Sequence, residues 1–438
     1  MHIVPQLIFA VLLALAGYCI LRSISRIRFN ILLGKSYEPS SSIPDRWVNM
    51  TLTALGQRKM FKKPLPAILH LFVYLGFLIV NAEMLEIALD GLLGTHRLFA
   101  APLGSFYTFI INVFEFFAVA VIVACAIFLV RRNLVHLKRF TGKEMTKWPT
   151  LDANLILIIE IVLMMAFLTM NASDQLLQGQ NEHYKATGSF AFSGLLMPLF
   201  SGLSASSLLV LERSAWWIHI IGVMIFANYV FYNSKHLHIF FAFLNTYYAR
   251  LIPQGEIDNM ASVTKEVQLM LGLTPTDNTP TDPAAPMRFG AKDVQDLTWK
   301  NLMDAYSCTE CGRCTEQCPA NITGKLLSPR KIMMDTRDRL EEVGNNIRQH
   351  GADHQDNKSL FDYISDEEIL ACTTCNACVE ACPVQISPVE IIVQMRRYRV
   401  MEESKAPGSW NAMFSNIENN QAPWKFSPAD RFNWADKL

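Results

Sequence analysis

Charge is what this sequence has least of. Only 18% of its 438 residues are Asp, Glu, Lys or Arg, against 51% hydrophobic, a balance that excludes an ordinary soluble globule and points to lipid. Acids and bases cancel to a formal net charge of zero, so no basic surplus argues for a nucleic-acid partner. Cysteine is nearly missing outside one segment. Eight of the ten fall between Cys308 and Cys382, while Cys19 and Cys125 stand alone in apolar runs and read as inert packing or lipid-facing residues. The first apolar run, Pro5 to Ile20, has no Lys or Arg before it and no small-residue cleavage site after it. It reads as a retained span and not as a secretory signal.

A helix that crosses the hydrocarbon core needs about 20 mostly apolar residues. Such runs occur near 4–21, 66–88, 106–130, 151–171 and 214–235. The first connection carries Arg22, Arg26, Arg28, Lys35, Arg46, Arg58, Lys59, Lys62 and Lys63, and the third Arg131, Arg132, Lys138, Arg139, Lys143 and Lys147. The second has only Arg97, set among Glu83, Glu86 and Asp90, and the fourth little beyond Lys185 and Arg213. The positive-inside rule places the first and third connections in the cytoplasm, so five spans leave the C-terminal part inside. Residues 188–210 are apolar and long enough to cross, but they hold Pro198, glycines and many serines. A sixth span would also send the cysteines to an oxidising compartment, so an interfacial or re-entrant segment is expected there.

The cysteines form a repeat: Cys308-x2-Cys311-x2-Cys314-x3-Cys318-Pro319 and Cys372-x2-Cys375-x2-Cys378-x3-Cys382-Pro383. Three thiolates at this spacing wrap one [4Fe-4S] cubane, and the fourth is carried by the turn and the proline to the other cluster. One cluster is therefore expected on Cys308, Cys311, Cys314 and Cys382, and a second on Cys372, Cys375, Cys378 and Cys318. Zinc gives no reason for the duplicated third cysteine, and disulfides do not suit the cytoplasmic side. More than fifty residues separate the two runs. Helical pattern over Asp335 to Val343 and Asp366 to Leu370, with little β-branched alternation, predicts an α-helical ferredoxin module.

Ionisable residues inside a bilayer default to function because burying them is costly. The candidates are His70, Glu115, Glu160, His219, His236 and His238. A b-type haem needs two imidazoles at one depth. On one continuous helix His219 and His236 lie roughly 25 Å apart, so they cannot share a haem. Depth matches His70, near the inner end of its helix, to His236 or His238, with His236 the favoured partner. His219 faces Val80 and Asn81 at the matching level of the second helix, which leaves quinone binding or a bundle hydrogen bond as its role. Glu160, near mid-membrane, is a candidate for moving quinone protons or a neutral buried acid.

The order of parts resembles a nitrate-reductase-gamma-like membrane cytochrome fused to the iron–sulfur subunit of the heterodisulfide-reductase group. It is similar to the membrane-bound electron-transfer-flavoprotein:quinone oxidoreductases of that group. Trp299 to Pro319, with Cys308-Thr309-Glu310-Cys311-Gly312-Arg313-Cys314, then Cys372 to Pro383 and Ser234-Lys235-His236-Leu237-His238 carry the resemblance. It implies b-type haem bound from the second and fifth helices, with His70 and His236 fitting the inner pair and only His219 matching the outer one. Catalytic members of the group carry Cys-Cys-Gly motifs, and this sequence has no adjacent cysteine pair. The substrate-transforming site is thus expected on a partner, either a Cys-Cys-Gly-type iron–sulfur subunit or an electron-transfer flavoprotein.

Taken together, the expectation is an all-α protein: a five-helix transmembrane bundle plus a cytoplasmic α-helical ferredoxin domain with two [4Fe-4S] clusters. Its parts are a transmembrane cytochrome b-like domain at 1–250, a linker at 251–290, the ferredoxin domain at 291–402 and a docking tail at 403–438. The expected function is to relay electrons between the quinone pool of the inner membrane and a cytoplasmic redox partner. The competing readings are an iron–sulfur anchor without haem and an enzyme complete in itself.

Overall fold

The computed structural model of the protein describes residues 3–135, 137–181, 183–273 and 289–437. Five long helices dominate the N-terminal half: α1 (Ile3–Ile31), α2 (Pro64–Leu93), α3 (Ser105–Asn133), α4 (Trp148–Leu177) and α5 (Ala205–Asn233). Each is long and apolar enough to cross a membrane, and each is apolar on every face, as a lipid-surrounded helix must be. At 29 or 30 residues they reach some 44 Å, well past a hydrocarbon core of about 30 Å, so their ends project beyond it. α4 lies between α3 and α5, α2 packs on α3, and α1 closes against α5 and α2.

The segment expected at the interface forms no membrane-length helix of its own. Its first part folds into the short turns Ser193–Leu195 and Met197–Phe200. The Glu115 carboxylate holds it, accepting the amides of Phe192 at 2.9 Å and Ser193 at 3.0 Å. The fifth span starts earlier than hydropathy suggests. Ser204 caps it, its hydroxyl accepting the Ser207 amide at 3.2 Å, so a serine run that reads as loop is a helix start.

Beyond the bundle, the cysteine-rich unit is helical throughout. Its elements follow α6 (His238–Tyr247) and are α7 (Trp299–Ser307), α8 (Arg313–Gln317), α9 (Pro329–His350), α10 (Asp366–Ala371), α11 (Ala377–Ala381) and α12 (Pro388–Arg397). Leu302, Ile332, Met333, Leu340, Ile369, Ile391 and Met395 form its core. Among the described residues there is no strand, only a bridge between Lys35 and Thr298 that ties the first connection to this unit. Gly34 permits the approach, since a Cβ there would lie 2.6 Å from the Trp299 amide nitrogen.

Both basic connections face this unit. Lys63 pairs with Glu316, Lys62 with Glu380, and Arg330 reaches Glu144 at 2.7 Å. At α1, Asn30 donates to the Tyr306 hydroxyl at 2.8 Å and accepts from Arg348 at 2.7 Å.

Two segments differ from the sequence-based expectation. The stretch before the unit includes a helix, Ala261–Met270, while the Thr274 to Pro286 linker lies outside the described residues. The tail, in which no periodicity is visible, forms α13 (Gly408–Asn420). It buries none of its residues, so no apolar stripe marked it.

Candidate functional site

The two cysteine runs repeat in backbone conformation as well as in spacing. Cys308 and Cys372 end α7 and α10 at φ −68°, ψ 119° and φ −69°, ψ 127°. Glu310 and Thr374 follow in the left-handed region, both at φ 54°, and then Gly312 and Asn376 at φ 73° and 58°. Cys318 and Cys382 close α8 and α11 at φ −75°, ψ 117° and φ −76°, ψ 121°. Left-handed backbone costs a β-branched residue such as Thr374 on the order of 1–3 kcal/mol. Such turns direct successive amides toward one centre. The Thr374 amide reaches Cys372 Sγ at 3.4 Å, and the Ile386 amide reaches Cys382 Sγ at the same distance. At Gly312 a Cβ would lie 2.6 Å from Arg330 Nη1 and 3.0 Å from the Arg139 carbonyl, so the turn needs glycine on both counts.

α8 packs on α11, which sets the two halves face to face. Burial raises the Cys314 thiol well above its ordinary value, assisted by Cys308, Cys311 and Cys382 and, last, Cys378. Burial pushes Cys378 up to about 12, assisted by Cys372 and Cys318. Each half thus neighbours the fourth cysteine of the other. Alone, these thiols hold their protons, and ionising them as a set requires the positive charge of a metal centre. Tetrahedral zinc would draw its sulfurs to within about 4 Å of one another. Among the described residues no three cysteine sulfurs close even to within 4.8 Å. The donor sets are too wide for one ion and suit a larger polynuclear centre.

Where α5 gives way to α6, four side chains converge. The Asp152 carboxylate of α4 accepts from the Ser234 hydroxyl at 2.8 Å and the Lys235 amide at 3.1 Å, and Ser234 leaves the helix at ψ 142°. This break places His238 at the start of α6, its ring centre 6.3 Å from that of His70 in α2. His70 Nδ1 lies 3.2 Å from Gln57 Oε1, and His238 Nδ1 lies 3.0 Å from the Lys235 carbonyl. Both Nδ1 atoms donate to oxygen, which leaves both Nε2 lone pairs for a ligand. Imidazoles bind a metal at about 2 Å, and about 1 Å more runs from nitrogen to ring centre, so two rings sharing one metal sit roughly 6 Å apart.

Of the two partners that depth allows for His70, the ring that faces it at this distance is that of His238, not the favoured His236. His236 lies instead 5.5 Å from His238, edge-on, and packs on Phe226. Matching by depth assumed one helix running through Ser234, and the break there turns the following residues. Burial pushes His236 down to about 3 and also lowers His238, so both are neutral imidazoles.

The histidine turn adjoins the first cysteine loop directly. α6 packs on α7, Lys235 Nζ lies 2.5 Å from Glu310 Oε2, and Arg337 Nη1 lies 2.9 Å from Glu310 Oε1.

Two family profiles, both described as 4Fe-4S dicluster domain, match residues 307–386 and 273–323. The cysteine-rich unit is a 4Fe-4S dicluster domain. The whole chain is also similar to named proteins. It is 27% identical, over 99% of its own length and 61% of the relative's, to the "Probable iron-sulfur-binding oxidoreductase FadF" of Bacillus subtilis. It is 26% identical, over 88% of its length and 53% of the relative's, to the "EtfAB:quinone oxidoreductase" of Syntrophomonas wolfei. Over 32% of its length and 35% of the relative's it is 27% identical to a chain of the dihydromethanophenazine:CoB–CoM heterodisulfide reductase of Methanosarcina mazei. The chain spans only about half to six-tenths of the first two relatives. No solved structure gives a significant match. The chain thus joins five helices long and apolar enough to cross a membrane to a 4Fe-4S dicluster domain, and it is similar along its length to iron–sulfur proteins of this kind.

The remaining membrane candidates divide. Glu115 is accounted for by the segment it anchors and by Asn171, which donates to it at 3.1 Å. His219 is buried against Phe167, and its Nδ1 has no hydrogen-bond partner among the described residues. Among the described residues no second histidine ring meets it. Glu160 sits mid-way along α4, and among the described residues no hydrogen bond occupies its carboxyl.

Sequence reasoning missed Asp152, Gln57 and the Lys235–Glu310 pair beside the dicluster domain. Their polar character was visible, but their partners come from distant segments. It also passed over the cluster at the far end of the bundle. There Arg97 is buried, bonding Asp174 at 2.9 Å, Asn171 at 2.9 Å and Tyr107 at 3.1 Å, and Tyr107 donates to Glu86 at 2.7 Å.

Proposed function

We propose that this protein relays electrons between the membrane quinone pool and a soluble redox partner on the cytoplasmic side, using one b-type haem and two [4Fe-4S] clusters. The observation that carries the haem assignment is the pairing of His70 and His238 at 6.3 Å with both Nδ1 atoms tied to oxygen acceptors. Cys308, Cys311, Cys314 and Cys382 would hold one cluster, and Cys372, Cys375, Cys378 and Cys318 the other. When bound, these groups supply one-electron storage, which suits quinones and flavins because both release two electrons singly.

The chain's own residues hold and orient. Gln57 and the Lys235 carbonyl fix the two imidazoles, and Asp152 fixes the turn that carries His238. The Lys235–Glu310 pair keeps the first cysteine loop against that turn. Cys375 is the exposed cysteine of the eight, so its loop is the face a soluble partner approaches. Glu160, and His219 deeper in the bundle, are the side chains available to a quinone and its protons. The basic connections on the dicluster side support a cytoplasmic orientation. The substrate-transforming site would reside on a partner of the electron-transfer-flavoprotein or heterodisulfide-reductase kind.

Reduced-minus-oxidised spectra of the purified membrane protein test this reading. A b-type band, together with two reducible clusters by paramagnetic resonance, is the expected result. Clusters without any haem band would leave an iron–sulfur anchor.

A further inference from the structure

We propose that the cleft between the dicluster domain and the adjoining ends of α2 and α3 binds the phosphate head group of an anionic phospholipid. The proposal rests on the membrane reading alone and holds whether or not haem is present.

The cleft has a volume of about 1180 Å³, and nine basic side chains line it against three acidic ones. This is a strong local surplus in a chain of zero net charge. All three acids are engaged: Glu144 by Arg330 at 2.7 Å, Glu368 by Lys331 at 3.0 Å, and Glu316 by Lys63 and Arg139. Among the described residues no carboxylate pairs with Arg131, Lys138, Lys143 or Lys325. Arg139, also in the wall, buries its Nε with no hydrogen-bond partner. Four uncompensated cations and an unsatisfied buried donor call for an anion that brings several acceptor oxygens.

The position selects a lipid. Pro64, Leu65 and Pro66 of the wall form the first turn of the membrane helix α2, and Arg131 stands in the last turn of α3. The cleft therefore opens at the ends of the spans, the level of the lipid head groups. Leu65 is 54% exposed there, and the dicluster domain faces it with Ile322 at 68% and Leu326 at 56%. Basic head-group pockets at this level are how membrane proteins hold anionic lipids, and the exposed apolar residues offer a surface for acyl chains.

The test uses the full chain in non-ionic detergent, exchanged against vesicles of phosphatidylcholine alone or with phosphatidylglycerol. Retained lipid is counted by native mass spectrometry, and iron content is measured in parallel. Selective retention of phosphatidylglycerol is expected. Affinity should fall about tenfold in a Lys138→Gln/Lys143→Gln/Lys325→Gln variant with unchanged iron. If that variant loses iron, the single Lys325→Gln change at an exposed site should still weaken retention about threefold. Equal retention of phosphatidylcholine, or undiminished retention by the variants, would overturn the proposal. Displacement by inorganic phosphate at equal affinity would reduce the cleft to a free-anion site. Loss of docking by an acidic soluble protein, with lipid binding intact, would assign the cleft to that partner.

Discussion

Lys235 Nζ and Glu310 Oε2 meet at 2.5 Å, joining the turn between α5 and α6 to the first cysteine loop. Both side chains are buried, 9% and 3% exposed, so the pair is screened little by water. Glu310→Gln leaves the Lys235 ammonium with the Pro149 carbonyl at 2.6 Å and, as its remaining carboxylate, Asp152 at 3.8 Å. Stranding one partner of a buried pair costs about 3–5 kcal/mol, and the remaining carboxylate puts this case near about 3 kcal/mol. Thermal unfolding followed by cluster absorbance should show a lowered midpoint, and an unchanged one would mean that the pair does not tie the two parts together.

His70→Ala and His238→Ala should each abolish the b-type absorption band, whereas His236→Ala should keep it. The distinction rests on ring placement, since among the described residues only the His238 ring faces His70. A band lost with His236 and retained without His238 would reverse the assignment.

Cys318→Ser and Cys378→Ser should remove the same cluster although sixty residues of sequence separate them. Cys382→Ser should remove the other, together with Cys314→Ser. Paramagnetic resonance on anaerobically prepared variants reads this directly, and an uncrossed result would pair Cys318 with Cys314.

Acid should weaken the bundle's junction with the dicluster domain. His236 is held near 3 by burial, against an ordinary value of 6.5, so between those values the unfolded chain binds the proton and the fold does not. The stability from the neutral ring is complete above about pH 6.5 and declines as pH falls, by at most about 1.4 kcal/mol per pH unit. His236→Phe should flatten that part of the profile. Denaturant titrations from pH 7 to 5 measure it, and parallel slopes in both proteins would show that another group dominates.

The sequence by itself determined the membrane spans and the cluster chemistry. Apolar runs of sufficient length and the bias of Arg and Lys between connections are one-dimensional properties, set by lipid thickness and charge. The doubled spacing from Cys308 to Cys382 is likewise local, because a cubane's first three ligands come from one turn. The tertiary structure decided what depends on a break or a distant partner. Hydropathy ends the fifth run near residue 235 but does not say how the chain turns there. Asp152, from another helix, captures the Ser234 hydroxyl and the Lys235 amide there, while the Ser234 hydroxyl caps the His236 amide. That break sets His238, and not His236, against His70, and it brings Lys235 within reach of Glu310. The orientation of a side chain after a helix break is fixed by the neighbours that capture the freed backbone, and those neighbours lie tens of residues away in the chain.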